Sequence, residues 1–219
     1  MKQFLLVFFP LFLLSGCGSR VTDWMAEHVE HGNVRTVPKE KVLSYLRTAR
    51  IYDEFSTVGI FNVLWLSSPV RQAYVDVHAA KYAMSSEKKE DFLCRQRIEN
   101  DNYISFYVLG YIPSGAPALG NKRCPWNLEL KVHDKLYTPK SIEVVELSPE
   151  YTMFLSKYLN NYKTIYLVRF AAKDGKGNEI LQPRTRMMSL RLSTVDRSTL
   201  LTWYFDKNKN LTQKRKGTV

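Results

Sequence analysis

The sequence predicts an antiparallel β-sandwich, immunoglobulin-like in its strand count, with a pair of helices inserted after the first strands. Three observations lead there. After Asn102 apolar residues recur at every second position in one run after another, the spacing of half-buried strands. No long helical pattern separates these runs, so they pair antiparallel. Between Ser68 and about residue 99 the spacing changes to that of helices. The Cys-Trp-Cys spacing of antibody domains is absent, so the immunoglobulin label rests on strand count and alternation. An open sheet with helices on one face is the alternative.

The elements follow in order. Residues 17–41 read as a tether, in which Thr22-Asp23 caps a short helix carrying Trp24 and Met25. The body spans residues 42–206. From Leu43 to Leu66 the pattern is strand-like, with Ala49, Ile51 and Phe55 at even spacing and Val58 to Leu66 apolar almost throughout. Such a run is a strand buried on both faces. Ser56-Thr57 is the expected turn between the two. Ser68 at the cap and Pro69 at the first helical position open a helix with Val70, Ala73, Tyr74 and Val77 on one face. Ser85-Ser86-Glu87 opens a second one, where Glu87 to Asp91 form a solvated face. The strands then run through Ile104–Ile112, Leu128–Val132, Ile142–Val144, Tyr166–Phe170, Met188–Leu192 and Leu200–Phe205. Ser148-Pro149-Glu150 starts a short helix and Asp174 to Asn178 form a turn. Residues 207–219 are a basic tail with five Lys or Arg and no acid.

The chain of 219 residues carries a formal charge of +11, and 45% of its residues are hydrophobic. That composition excludes a disordered chain, a collagen-like repeat and a polytopic membrane protein. Residues 1–16 are an address. Lys2 precedes the apolar run Phe4 to Leu14, and the small residues Ser15 and Gly16 follow. This is the layout of a secretory signal peptide. At about 1.5 Å per residue the run falls short of a bilayer core of about 30 Å, and Pro10 interrupts it.

The end of that run is more specific. Leu14-Ser15-Gly16-Cys17 resembles, at all four positions, the lipobox of bacterial lipoproteins. The resemblance implies a diacylglycerol on the Cys17 thiol, cleavage before Cys17 and acylation of the new amine, palmitate being a typical chain. Several acyl chains hold a protein at a membrane stably where one does so only marginally. Gly18, in place of the Asp that favours inner-membrane retention in enteric lipoproteins, implies the outer membrane over the inner. A location in the cell envelope makes nucleic acid an unsuitable partner. A protein of the envelope is the expected partner, and anionic lipid or lipopolysaccharide is the alternative, because a basic body near an anionic surface gains roughly 1 kcal/mol per well-placed cation.

Motifs for chemistry are sparse. The chain has no glycine-rich phosphate loop and no Gly-x-Ser-x-Gly elbow, and it implies no cofactor or metal. His28 and His31 are three apart, but in the tether. His78 borders an apolar helix face, where a packing role is the default, and His133 is expected on the outward side of its strand. Cys94 and Cys124 can pair in an oxidising compartment, closing a loop worth roughly 3–4 kcal/mol, or stand as thiols. Tyr103, Tyr107 and Tyr111 fall on one face of a strand. If that face is covered, the three are core or semi-core residues, which is the default; if open, it is a flat platform for a partner or a sugar. Beside it, Pro113 to Pro125 holds three prolines, two glycines and Lys122-Arg123. These five residues form the candidate binding surface. The expectation is a lipid-anchored binding or assembly protein without catalysis. An envelope hydrolase is the remaining alternative, requiring His or acidic groups that converge in a cleft.

Overall fold

A computed structural model describes residues 39–205 apart from Phe55 and 114–116. The leader, Cys17, most of the tether with His28 and His31, and the basic tail lie outside the described residues. The chain order is α1 (Lys39–Leu43), β1 (Leu46–Asp53), β2 (Ser56–Trp65), α2 (Ser68–Lys81), α3 (Ser86–Asn102), β3 (Tyr103–Tyr111), β4 (Asn127–Val132), β5 (Lys135–Tyr137), β6 (Ser141–Val144), α4 (Pro149–Leu155), β7 (Thr164–Ala171), β8 (Met187–Ser193) and β9 (Ser198–Tyr204).

The strands form two antiparallel sheets. The larger has the order β1-β2-β3-β7-β6 and the smaller β5-β4-β8-β9. They pack face to face as a β-sandwich, with α2 and α3 inserted between β2 and β3. Phe61, Val63, Phe106, Val108, Val168 and Phe170 of the larger sheet meet Leu128, Leu130, Met188, Leu190, Leu192 and Trp203 of the smaller. The larger sheet is covered on its other face too. There Leu46, Leu64, Leu66 and Leu109 pack against Val42 of α1, Val70 and Ala73 of α2, and Phe154 and Leu155 of α4. Central strands buried on both faces explain the near-continuous apolar run Val58 to Leu66.

Phe61 shows how tightly the inner face is filled. A Cβ on Gly59 would lie 2.8 Å from its ring and 3.0 Å from Trp126, and one on Gly110 would lie 3.3 Å from the same ring. Glycine at these two strand positions makes the room that the ring occupies. Burying such a side chain is worth about 1.5–3 kcal/mol.

The two sheets approach at β1 and β9, where side chains take the place of a ladder. The Trp203 indole N–H donates to the Tyr45 carbonyl at 2.7 Å, and Arg47 Nε to the Thr202 carbonyl at 2.9 Å. Arg197 binds the Tyr52 carbonyl and pairs with Asp53 at 2.6 Å.

Several local expectations are corrected. Ser56 and Thr57 lie within β2 rather than in a turn. The cap of α2 is Ser67, one residue earlier than expected, with Pro69 in the first turn. Ser85 does cap α3, its hydroxyl accepting from the Lys88 amide at 3.4 Å. His133 leaves the strand altogether. It sits at φ +53° between β4 and β5, where Val132 pairs with Lys135. β5 is three residues long, too short to show an alternation. Helix α1 already takes in Lys39 to Lys41, the end of the expected tether. No helix among the described residues is long and apolar enough to cross a membrane.

Candidate functional site

The outer face of the larger sheet changes character along its strands. Register places Leu46, Leu64 and Tyr107 in one cross-strand row, Thr48, Asn62 and Leu109 in the next, and Arg50, Ile60 and Tyr111 in a third. The first row lies under the helices. The second marks their edge. The third lines an open groove of about 650 Å³, within the range of about 300–1,000 Å³ usual for small-molecule sites.

A bulge in β2 shapes the groove end of its pairing with β1. Ile51 pairs with Gly59 but Tyr52 with Thr57, so Val58 is an extra residue. Val58 turns to the inner core, and Thr57 falls on the groove face beside Tyr52. Bulges re-aim side chains in this way at sheet edges and beside binding sites. The far wall is the segment between α4 and β7, which contributes Lys157, Tyr158, Asn160, Tyr162 and Lys163.

Asn62 ties wall to floor. It is only 3% exposed. Its Nδ2 donates to Thr48 Oγ1 at 2.8 Å, and its Oδ1 accepts from Lys163 Nζ at 2.7 Å. Lys163 also donates to the Tyr158 carbonyl at 2.7 Å. Burial, and then the neighbouring Arg50 charge, hold Lys163 below the ordinary lysine value. Both causes disfavour its charge. The lining holds the cations Arg50, Lys157 and Lys163 and no carboxylate. Among the described residues none of these three cations is in an ion pair. The surface thus sets positive charge without a carboxylate next to aromatic faces.

Of the five surface residues that the sequence singles out, Tyr111 alone lines this groove. Tyr107 lies under the helices, its ring 5.0 Å from Tyr151 in an edge-on contact. Tyr103, at the other end of β3, has the Lys140 ammonium 5.3 Å from its ring. Lys122 and Arg123 are exposed on a turn around Asn121, whose side chain accepts from the Arg123 amide at 2.9 Å. Helices divide the tyrosine face, so the three rings do not form one platform. Cys94 is exposed on α3 and Cys124 packs at the inner core. Both are free thiols, on opposite sides of the larger sheet.

Reasoning from sequence missed Arg50, Tyr52, Asn62 and the α4–β7 segment. A signal existed in Lys157-Tyr-Leu-Asn-Asn-Tyr-Lys163, a run of aromatic, amide and cationic residues outside any element. Only the fold shows that this run lies opposite Thr48, Arg50 and Tyr52.

A second polar cluster lies within the helical layer. Glu150 is 2% exposed, with His78 Nδ1 at 3.3 Å and Lys81 Nζ at 3.4 Å. Burial pushes its carboxyl up, but its own amide, the Ser148 hydroxyl and Lys81 outweigh that and hold it below the ordinary range. The His78 ring packs among Tyr74, Tyr82 and Phe92, with centroids 4.6–5.7 Å away. Arg71, 5% exposed, donates to the Leu66 carbonyl at 3.1 Å and to Gln96 at 2.9 Å. These groups join α2, α3 and α4 to the sheet. Among the described residues no three His, Cys, Asp or Glu side chains converge as a metal-ligand set.

Comparison with protein-family models, with curated proteins and with solved structures gave no match for this chain.

Proposed function

We propose that this chain is a lipid-anchored protein of the bacterial envelope that binds an envelope component in the groove formed by β1, β2, β3 and the α4–β7 segment. The observation that carries the binding role is the convergence of three cations and four tyrosines, with no acid among them, on one open surface. The lipobox Leu14-Ser15-Gly16-Cys17 supports the location. Gly18, standing where an Asp favours inner-membrane retention in enteric lipoproteins, supports the outer membrane.

Binding, rather than turnover, fits the lining. Its hydroxyls, amides and cations suit a held ligand, and Lys163, which donates to Asn62 and Tyr158, keeps one further N–H for it. Among the described residues, the histidine within ion-pair distance of a carboxylate is His78, 3.3 Å from Glu150. Those two sit in the helical layer, where aromatic rings pack against the imidazole. A lipid carrier would need an apolar cavity between sheet and helices. The side chains of Leu64, Leu109, Tyr151 and Phe154 occupy that space. Among the groove's lining residues Ile60 is the one aliphatic side chain. The site therefore suits a polar group in preference to an acyl chain.

Growth on radiolabelled palmitate tests the location. The expected result is label on the wild-type chain in the membrane fraction and none on Cys17→Ser. An unlabelled, uncleaved, cytosolic product overturns the proposal.

A further inference from the structure

We propose that the groove is a site for an anionic saccharide, a sugar ring lying against the tyrosine faces with its phosphate or carboxylate on Arg50, Lys157 and Lys163. This rests on the reading of the groove as the binding site and names the chemistry of its ligand.

Two independent features of the lining converge on that ligand. The first is charge. Arg50, Lys157 and Lys163 line one groove with no acid among them, and none of the three is ion-paired among the described residues, so the positive charge of Arg50 acts on Lys163 unrelieved. An anion between them would convert this repulsion into charge-assisted hydrogen bonds, the stronger kind. Arg50 offers a planar fork, and Lys157 and Lys163 offer compact ammonium groups.

The second feature is aromatic. Tyr162 is 78% exposed and Tyr52 56% exposed, both on the groove rim. Large aromatic faces left in water are a common mark of a contact surface. A tyrosine pairs an apolar ring with a polar tip, as a sugar pairs C–H faces with hydroxyls. Thr48, Thr57 and Asn160 add short polar groups between the rings, suited to hydroxyl partners. A bare phosphate would not use the rings, and a neutral sugar would not use the cations. The groove is also open and holds about 650 Å³.

Phosphorylated headgroup sugars and acidic glycans share this chemistry, and calorimetry on the full-length lipidated chain in a polyoxyethylene detergent separates them. The probes are an N-acetylated glucosamine disaccharide carrying two phosphates, the same disaccharide without phosphate, trigalacturonate, pyrophosphate and tetraglutamate. One of the two anionic saccharides is expected to bind at least about tenfold more tightly than the neutral disaccharide, pyrophosphate and tetraglutamate. Which of the two binds identifies the source. Affinity should weaken as salt screens the cations. Arg50→Glu and Tyr162→Ala, both at exposed positions, should each lower affinity by about tenfold or more. The inference is overturned if neither anionic saccharide binds, or if the neutral disaccharide, pyrophosphate or tetraglutamate binds equally well. In that event, photo-crosslinking in cells from position 162 tells the two failures apart. Capture of an envelope component there leaves the binding site standing and refutes its ligand class alone. No capture refutes both.

Discussion

Along the outer face of the larger sheet, the row Leu46–Leu64–Tyr107 lies under helices, whereas the row Arg50–Ile60–Tyr111, four residues further along each strand, lines an open groove. The inner face of the same strands changes much less, with Phe61, Val63, Phe106 and Val108 all fully buried. The contrast separates two kinds of requirement. Where a face is covered, shape and apolar area decide the residue, because interiors are close-packed. Where it is open, folding asks for little, and the residues answer to whatever the surface meets. Three cations and four tyrosines gathered without an acid are not what packing alone would select.

That contrast predicts a gradient of stability effects. On the inner face, Phe61→Ala should cost about 3–5 kcal/mol, because the ring fills the space that Gly59 and Gly110 leave open and the cavity cannot collapse across a paired sheet. Urea unfolding measures it, and a midpoint close to wild type would mean that the inner face is loosely filled.

At the covered end, Glu150→Gln should cost about 1–3 kcal/mol at neutral pH, since Lys81 and His78 lose the buried carboxylate that they face. The pH dependence sharpens this. The folded state holds Glu150 below its ordinary value of 4.5. Its contribution is therefore complete above that value and is lost as pH falls through the lower, folded value. Between those two values the wild type should lose stability more steeply than Glu150→Gln. Parallel curves in that window would show that Glu150 is not held in its ionised form.

At the open end, Arg50→Gln should change stability by no more than about 0.5 kcal/mol. A larger loss would mean that the groove cations hold the fold, and the distinction between the two ends would fail.

Much of this arrangement was legible in the chain, for physical reasons. Alternation with a period of two locates β3, β4, β7, β8 and β9, because each turns every second, apolar residue to the core between the sheets. The helix entries at Ser68-Pro69 and Ser85 are local chemistry and lie within one residue of their observed places. Three-residue β5 carries no period at all. The bulge at Val58 depends on the partner strand, and neighbouring residues do not encode it visibly. The groove was legible in halves only. Thr48, Arg50 and Tyr52 are the outward members of the alternation that marks Ala49 and Ile51 as inward. Their opposite wall lies far along the chain, and the Asn62–Lys163 bond that joins them spans 101 residues. Contacts of such sequence separation follow from topology, which alternation and capping leave undetermined. The same holds for Tyr103, Tyr107 and Tyr111. Their shared face was readable, but the helices that cover its middle were not.

The most direct test of the account compares capture from two places on the body in living cells. A photo-crosslinking amino acid replaces Tyr162 at the groove rim or, as the control, Leu136 of β5 on the smaller sheet. Mass spectrometry then identifies each adduct. The account predicts a defined envelope component attached at position 162 and absent from position 136. No adduct at 162, or the same species from both positions, would contradict it.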